Sequence, residues 1–307
     1  MSALAALRTG GKAALAKALA EIESHSDRDE TLALLDEAFA QPNAQVIGLT
    51  GPPGVGKSTL AGALINLYRA QGKTVGIIAV DPSSRLTGGA LLGDRTRIRT
   101  DPDDAGIFIR SMAARDRLGG LADITYGAMV LMRALFDVVL VETVGVGQSE
   151  TEISLCADTI LFCVQPGSGD SLQYMKAGIA EIPDLVVVTK ADLGQAASRA
   201  KADVKGALSL ARSNATNWTP KVLMISAQTG AGLEELTRAI EDHAVWLRSD
   251  DRLARRRGAQ AQAWLQLAAK ERWGRDGARA HEAPPEAVSP FRRLALFGKQ
   301  RTEGGRI

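Results

Sequence analysis

The chain has few residues that form disulfides or bind transition metals. Its 307 residues include two cysteines, Cys156 and Cys163, and three histidines that lie far apart, His25, His243 and His281. Two cysteines in apolar surroundings make neither a disulfide framework nor a clustered metal site, so we expect both thiols to be buried as small apolar side chains. The scattered histidines argue against a zinc site built from histidine ligands.

The sequence also lacks long apolar runs and a large net charge. No apolar run approaches the ~20 residues that a membrane helix needs, and the N-terminus has no signal-peptide pattern. We therefore expect a cytoplasmic protein without a membrane segment. The net charge of +2 gives no reason to expect nucleic acid as a partner. The charge is uneven, because 13 Lys and Arg face 6 Asp and Glu from Asp251 onward.

Seven short apolar runs alternate with helical stretches in the middle of the chain. The runs are "QVIGLT", "TVGIIAV", "AGIFI", "DVVLVET", "TILFCVQ", "DLVVVTK" and "KVLMISA". Apolar, β-branched runs of this length are typical of strands that are covered on both faces, and their alternation with helices predicts an α/β fold with a doubly wound, mostly parallel sheet.

Helical patterns flank this α/β region on both sides. Two helices are predicted within residues 11–40, and "RLARRRGAQAQAWLQLAAKERW" predicts a long helix near the end. From Gly274 the chain is rich in Gly, Pro and Arg and weakly patterned. We therefore divide the chain into an N-terminal helical extension (1–43), an α/β domain (44–248) and a C-terminal, helical, Arg-rich arm with a tail (249–307).

The segment "GPPGVGKST" (51–59) matches the phosphate-loop pattern G-x-x-x-x-G-K-[ST]. A predicted strand precedes it and a predicted helix follows, as phosphate binding requires. Glycines let successive backbone N–H groups face one anion, and the helix N-terminus adds its positive dipole end. The candidate phosphate-binding residues are Gly51, Gly54, Val55, Gly56, Lys57, Ser58 and Thr59. Lys57 would reach the β- and γ-phosphates, and the Ser58 hydroxyl would bind Mg²⁺.

Three acidic residues near predicted strand ends are candidate partners of the metal. Mg²⁺ prefers carboxylate, hydroxyl and water oxygens, which makes Asp81, Asp94 and Glu142 candidate ligands, directly or through water. Gly145 follows Glu142 at the spacing at which a backbone N–H senses the γ-phosphate in nucleotide switches. Each acid has a plainer interpretation: Asp81 as a turn residue at a strand end, Asp94 as a solvated loop acid paired with its Arg neighbours, and Glu142 as a capping acid.

The segment "VVVTKAD" resembles the Asn-Lys-x-Asp motif that reads guanine. Asp192 would accept two hydrogen bonds from guanine N1 and N2, which adenine does not supply, and Lys190 would lay its stem along the base. Thr189 stands where Asn is usual, and its hydroxyl would partly replace the bracing that Asn provides. Ser226 and Ala227, after the last strand, lie where a backbone N–H reaches guanine O6. Because a pocket built around a buried carboxylate rejects a base that leaves it unpaired, we expect GTP rather than ATP.

These motifs resemble, in order and spacing, the methylmalonyl-CoA mutase-associated GTPases of the MeaB type, also called the ArgK type. The resemblance covers roughly residues 11–248, and "DPSS", "TGGALLGD" and "ETVGVGQSE" are its most specific parts. It implies a dimeric P-loop GTPase that acts as a chaperone for an adenosylcobalamin-dependent acyl-CoA mutase such as methylmalonyl-CoA mutase. Such a protein gates cofactor loading and protects or rescues the mutase, driven by GTP binding and hydrolysis to GDP.

The resemblance also assigns roles to residues. Ser58, Asp94 and Asp81 surround Mg²⁺, with Glu142 on the metal and water side. Lys190, Asp192 and Ser226 to Gln228, which includes Ala227, hold the base. The segment "PGSGDSLQYMKAG" (166–178) matches a mobile family segment in which Lys176 pairs with an acid of the site in one state, unless Lys176 is simply solvated.

Two departures from the family pattern stand out. Thr189 replaces Asn, and the sequence after about Arg257 does not match the usual ending, where the family forms its dimer contact. The Arg-rich helix is therefore either a dimer arm or a solvated face.

Slow in-line hydrolysis of GTP, stimulated by the partner, is the expected reaction, with Lys57, Asp94 and Glu142 as candidate catalytic residues. Gln148 is a candidate for positioning the water. Three other functions compete with this interpretation: a P-loop kinase that phosphorylates a protein or small molecule, a nickel-delivery GTPase, and a binding module without turnover.

Overall fold

The described part of the chain forms eight α-helices around one seven-stranded sheet. The computed structural model describes residues 2–82, 98, 100–114, 123–143, 152–167, 182–210, 218–274, 277 and 289–304. The strands are β1 (Gln45–Thr50), β2 (Val75–Pro82), β3 (Ile107–Ala114), β4 (Val138–Glu142), β5 (Thr159–Val164), β6 (Leu185–Val188) and β7 (Lys221–Met224). The helices are α1 (Ala3–Ser24), α2 (Asp29–Ala40), α3 (Lys57–Ala70), α4 (Asp123–Leu135), α5 (Gln195–Leu210), α6 (Leu233–Arg248), α7 (Arg252–Trp273) and α8 (Pro290–Gly304).

All seven strands are parallel and lie in the order β3-β2-β4-β1-β5-β6-β7. The predicted α/β fold is confirmed, and each of the seven apolar runs overlaps one strand, although β2 and β3 extend beyond their runs to Pro82 and Ala114. β1 pairs with β4 on one side and with β5 on the other, so its carboxyl end lies at the centre of the sheet. Ligands of such sheets bind outside the carboxyl ends of the strands, where the direction of winding reverses.

Helices cover both faces of the sheet because successive strand residues point to opposite sides. In β1, Val46 belongs to the core beneath α1, α2, α4, α7 and α8, whereas Ile47 belongs to the core beneath α3 and α6. A third cluster joins α5 to β5, β6 and β7. The helices predicted at both ends of the chain therefore share one apolar core with the sheet.

Helix α7 has the predicted bounds, and two of its arginines are tied to the amino ends of neighbouring strands. Arg257 donates two hydrogen bonds to Asp158, just before β5, with Nε–Oδ1 and Nη2–Oδ2 distances of 2.8 and 2.6 Å. Arg256 pairs with Asp184, just before β6, with Nη1–Oδ1 and Nη2–Oδ2 distances of 3.0 and 2.9 Å. This part of the Arg-rich helix is thus packed on the sheet of its own chain and is not a solvated face.

Two features at the ends of the chain were not predicted. Helix α1 begins at Ala3, ahead of the predicted start at residue 11, and bends at Gly11, whose φ is 69°. Helix α8 lies within the segment that looked weakly patterned. Its residues Phe291 and Leu294 are buried at the i, i+3 spacing of a helix, but the flanking Arg, Gly and Pro residues mask that short signal.

Candidate nucleotide-binding site

The phosphate loop connects the carboxyl end of β1 to the start of α3 at the centre of the sheet. Gly51 has a φ of 133°, and a Cβ atom there would lie 2.2 Å from the carbonyl oxygen of Cys163. Gly56 has a φ of 99° and caps the N-terminus of α3. Both positions require glycine, the first for close approach and the second for its left-handed backbone. The loop therefore presents the N-terminus of α3 to the space above the sheet.

Two side chains at the start of α3 reach the ends of neighbouring elements. The Lys57 ammonium is buried and donates to the carbonyl oxygens of Gly51 at 2.7 Å and Pro52 at 3.0 Å. The Ser58 hydroxyl donates to Oε1 of Glu142 at 2.7 Å. Glu142, the last residue of β4, is itself buried. Residues predicted from two separate motifs thus meet at one point.

A cavity of about 150 Å³ extends from the phosphate loop across the ends of β6 and β7. Its lining contains the sequence-predicted base-reading residues and the end of the phosphate loop: Val55, Gly56, Thr59, Thr189, Lys190, Asp192, Leu193, Ile225, Ser226, Ala227 and Gln228. The Ala191 N–H donates to the carbonyl oxygen of Ile225 at 2.9 Å, which ties the two base-reading segments together.

The Asp192 carboxylate is exposed in this cavity, whereas the sequence argument for guanine expected a buried carboxylate, and it is held in its charged form. A hydrogen bond with the Ser226 side chain is the largest cause that lowers the pKa of Asp192 below its ordinary value, and the nearby Lys190 ammonium lowers the pKa further. An ionised carboxylate only accepts hydrogen bonds. It therefore suits a ring edge that presents two N–H donors, as guanine does, and not the edge of adenine.

Thr189 braces the phosphate loop from the end of β6. Its side chain is 3% exposed, and its hydroxyl lies 2.7 Å from the carbonyl oxygen of Val55 and 3.0 Å from that of Val164. One hydroxyl proton serves one of these acceptors at a time. The shorter distance, to Val55, connects the base-reading segment to the phosphate loop.

Of the remaining predicted residues, the structure describes one fully, one only in its backbone and others not at all. Gly54 lies in the phosphate loop with a φ of 74°. The backbone of Asp81 lies in β2, two residues beyond the pair Ala79–Glu142, at the same edge of the sheet. The side chain of Asp81 and the candidates Asp94, Gly145, Gln148 and Lys176 lie outside the described residues.

Two residues of the site were not anticipated from the sequence. Gln165 follows β5, and its Oε1 accepts a hydrogen bond from Lys190 Nζ at 2.5 Å. Leu193 lines the cavity while 53% exposed, which is unusual for a large apolar side chain. Only Leu193 had a local signal, since it follows Asp192 directly; the contact of Gln165 joins positions 25 residues apart.

The cysteines behave as expected. Both are buried and free, and burial raises the pKa of each thiol to about 12. Thiols with such a high pKa are poor nucleophiles and poor metal ligands. Among the residues that the structure describes, no three His, Cys, Asp or Glu side chains cluster as a metal site, and no helix has the length and apolar character to cross a membrane.

Comparison with known proteins agrees with this geometry. The family model described as "Methylmalonyl Co-A mutase-associated GTPase MeaB" matches residues 15–280. The chain belongs to this family of P-loop GTPases. The GTPase ArgK of Escherichia coli is 39% identical to it over 271 residues, which cover 86% of this chain and 82% of ArgK. The mitochondrial methylmalonic aciduria type A homolog of the mouse is 37% identical over 272 residues, covering 83% of this chain and 66% of the mouse protein.

Solved structures share the fold of this MeaB-family chain. A structure described as an LAO/AO transport system kinase superposes with a TM-score of 0.72 at 30% identity, covering 97% of this chain and 96% of that one. The nickel complex of HypB from Helicobacter pylori superposes with a TM-score of 0.53 at 16% identity, covering 71% and 96%. At that identity the second likeness concerns the fold alone.

Proposed function

We propose that this GTPase is a chaperone of an adenosylcobalamin-dependent acyl-CoA mutase such as methylmalonyl-CoA mutase. In this role it gates cofactor loading and protects or reactivates the mutase, and the exchange of GTP for GDP sets the state of the gate. The match of residues 15–280 to a family described by its association with that mutase is the observation that carries the proposal. The name of the mouse relative, which refers to methylmalonic aciduria, supports it.

The proposal assigns the phosphates of GTP to residues 51–59 and the base to the cavity lined by Lys190, Asp192 and 226–228. The Ser58 hydroxyl and the Glu142 carboxylate, 2.7 Å apart, form an oxygen donor set that suits Mg²⁺. Asp81 and Asp94 would complete the metal's surroundings. Lys176 and Gly145 would respond to the nucleotide state.

Hydrolysis in this site depends on positioning and charge neutralisation. Phosphoryl transfer leaves little covalent work for the protein, and Mg²⁺, when bound, neutralises charge on the phosphates. On nucleotide binding, the buried Lys57 ammonium exchanges its loop carbonyl partners for phosphate oxygens. The backbone N–H groups of the loop stabilise the negative charge that develops on the phosphate oxygens. Glu142 holds the Ser58 hydroxyl toward the metal. We propose that intrinsic turnover is low and that the mutase raises it.

The base assignment is tested by Asp192→Asn. The variant loses a carboxylate that accepts from guanine N1 and N2, and it gains an amide donor that matches the 2-oxo group of xanthine. We expect GDP to bind about 10- to 100-fold more weakly and XDP to bind more tightly than to the natural chain, both measured by calorimetry. Unchanged preference for GDP over XDP would contradict the assignment.

The chaperone role is tested with purified methylmalonyl-CoA mutase. We expect the two proteins to form a complex, the mutase to raise the rate of GTP hydrolysis, and transfer of adenosylcobalamin into the mutase to differ between GTP and GDP. A control with Lys57→Ala, which removes the phosphate-binding ammonium, is expected to abolish the nucleotide dependence. Absence of a complex in both nucleotide states would refute the chaperone role while leaving GTPase activity intact.

A second candidate function is suggested by the kinase description of the structural neighbour with a TM-score of 0.72. A kinase of this fold would transfer the γ-phosphate to a protein or small molecule and would accept ATP. Competition between ATP and GTP, followed by a search for labelled acceptor with γ-labelled nucleotide, separates the two functions. If the label appears only as inorganic phosphate and GTP is preferred over ATP, the result supports the proposed GTPase chaperone.

Assembly and location complete the proposal. We propose that the chain forms a homodimer in the cytoplasm and acts without nucleic acid or a membrane. Analytical ultracentrifugation of the full chain tests the dimer. A monomer at micromolar concentration, with and without nucleotide, would contradict this part.

A further inference from the structure

Three consecutive residues at the carboxyl end of β5 contact the two parts of the candidate nucleotide site, the phosphate loop and the base-reading segment. The carbonyl of Cys163 lies against Gly51, at the start of the phosphate loop. The carbonyl oxygen of Val164 accepts from the Thr189 N–H at 2.8 Å. Gln165 accepts from the Lys190 ammonium through its Oε1 at 2.5 Å. The end of β5 thus fixes the spacing between the phosphate loop and the base-reading segment.

The contact of Gln165 restrains the exposed side chain of Lys190. Lys190 is exposed and has a left-handed backbone with a φ of 55°. Its ammonium also lies 3.4 Å from the carbonyl oxygen of Gly54, which is long for a hydrogen bond. A lysine has four rotatable side-chain bonds, so an exposed ammonium loses considerable entropy when it is fixed. An acceptor that fixes Lys190 before the ligand arrives removes part of that loss from the binding step.

We propose that Gln165 is a positioning residue for the guanine base and that it acts through Lys190. Its amide oxygen holds the ammonium so that the aliphatic stem of Lys190 lines the cavity as a preformed wall against the face of the base. Gln165 itself does not contact the nucleotide. The inference rests on the proposed assignment of Lys190 and Asp192 to the base, and it adds a residue that the base-reading motif does not contain.

A double-mutant cycle on the isolated chain tests this role. GDP affinity is measured by calorimetry for the natural chain, Gln165→Leu, Lys190→Ala and the double variant. We expect Gln165→Leu to weaken GDP binding about 3- to 10-fold in the natural background and less than about twofold when Lys190 is already alanine. IDP presents the same ring face as GDP but lacks the 2-amino group. We expect Gln165→Leu to weaken the binding of IDP by the same factor as the binding of GDP.

Further variants separate positioning from general structural damage. Gln165→Glu keeps an acceptor for the ammonium and is expected to retain the GDP affinity of the natural chain. Gln195→Leu, at the exposed start of α5, is the matched control and is expected to leave GDP affinity unchanged. If Gln165→Leu does not fold, as judged by circular dichroism, Gln165→Ala takes its place in the cycle.

The outcomes distinguish this inference from the proposed function. Additive effects of the two single changes, or full GDP affinity in Gln165→Leu, would overturn the positioning role. If Lys190→Ala leaves GDP affinity unchanged, the base assignment is itself wrong. The mutase takes no part in the measurement, so a failed chaperone role leaves the result interpretable.

Discussion

At the scale of single residues, the threonine in "TKAD" places a buried hydroxyl where the motif usually has an asparagine. Thr189 is buried, and its hydroxyl bonds the carbonyl of Val55 in the phosphate loop. The side chain therefore joins the candidate base-reading segment to the phosphate loop. We propose that guanine recognition in this chain depends on the geometry that this bond maintains as well as on Asp192.

Replacing Thr189 with valine tests the brace. The variant keeps the shape of the side chain but removes its hydrogen bonds to the backbone, which we expect to lower the free energy of unfolding by about 1–2 kcal/mol and to weaken GDP binding. Urea unfolding and calorimetry provide the measurements. Thr237→Val, in which a hydroxyl on α6 loses a bond within its own helix, is the control, with a change within about 0.5 kcal/mol. If Thr189→Val and Thr237→Val change the free energy of unfolding and the GDP affinity equally, Thr189 does not brace the phosphate loop.

The motifs made much of the site predictable at this scale. The phosphate loop, Glu142, Lys190 and Asp192 each belong to a local pattern whose spacing reflects a chemical requirement. The contact of Gln165 with Lys190 has no such pattern, because it arises only when the ends of β5 and β6 become neighbours in the sheet. Sequence reasoning identified the parts of the pocket and missed a residue that holds one of them.

At the scale of elements, α7 is anchored by charge to the amino ends of two neighbouring strands. Asp158 is 1% exposed and also accepts from the Val46 N–H, so Arg257 neutralises a carboxylate that lies at the junction of β1 and β5. Asp184 accepts from the Ile160 N–H and from Arg256 in the same manner beside β6. The apolar runs predicted the strands and the helix, but not these long-range pairs, since pairing between distant charges has no local periodicity.

Loss of Arg257 is expected to cost far more than loss of an exposed arginine on the same helix. Arg257→Met leaves the Asp158 carboxylate buried without its cation, which we expect to lower the free energy of unfolding by about 3–5 kcal/mol. Arg255→Met, on the exposed side of α7, is expected to change stability by less than about 0.5 kcal/mol. Urea unfolding compares the two. Adding Asp158→Asn to Arg257→Met should recover part of the loss, and failure to recover any would mean that charge is not the cause.

The second pair predicts how stability depends on pH. Burial alone would raise the pKa of Asp184, but its contacts with His243 and Arg256 outweigh burial and lower the pKa. The stabilisation from this carboxylate is therefore present above the ordinary aspartate pKa of about 3.9 and is lost as pH falls through the lower folded value. We expect Asp184→Asn to be less stable at pH 7 and the difference from the natural chain to shrink toward pH 2.

Unfolding by urea at a series of pH values measures this effect. Asp203→Asn, on the exposed surface of α5, is the control and should reproduce the natural curve. A constant difference between Asp184→Asn and the natural chain across the acid range would contradict the assignment of the effect to this carboxylate.

At the scale of the whole molecule, one apolar core joins the two ends of the chain to the sheet. Ile22 of α1 and Leu35 of α2 belong to the same buried cluster as Met129 of α4. Trp264 of α7 stacks on Tyr126 of α4 with ring centroids 5.1 Å apart, and Phe291 of α8 packs against both rings. The helical extensions predicted from the sequence are therefore integral to the fold in which the nucleotide site lies.

Shortening the chain tests this continuity. Ending it after Ser249 removes α7 and α8 and exposes the aromatic partners on α4, so we expect an insoluble or unfolded product. Ending it at residue 288 removes α8 alone and costs about 1.5–3 kcal/mol for each large side chain withdrawn from the core. A chain that ends at residue 304 is the control. Thermal unfolding and size-exclusion chromatography provide the measurements, and a soluble, cooperatively folded 1–249 fragment would contradict a shared core.

The two ends of β5 serve different structures, and this fixes its length. Asp158 before the strand is fastened to α7, and Gln165 after it is fastened to Lys190. A strand advances about 3.3 Å per residue and turns each successive side chain to the opposite face. One residue inserted or deleted between Asp158 and Gln165 would shift one of these contacts by one residue along the strand and turn its side chain to the opposite face of the sheet. We therefore expect a substitution of similar size within β5 to disturb the site less than the insertion or deletion of one residue.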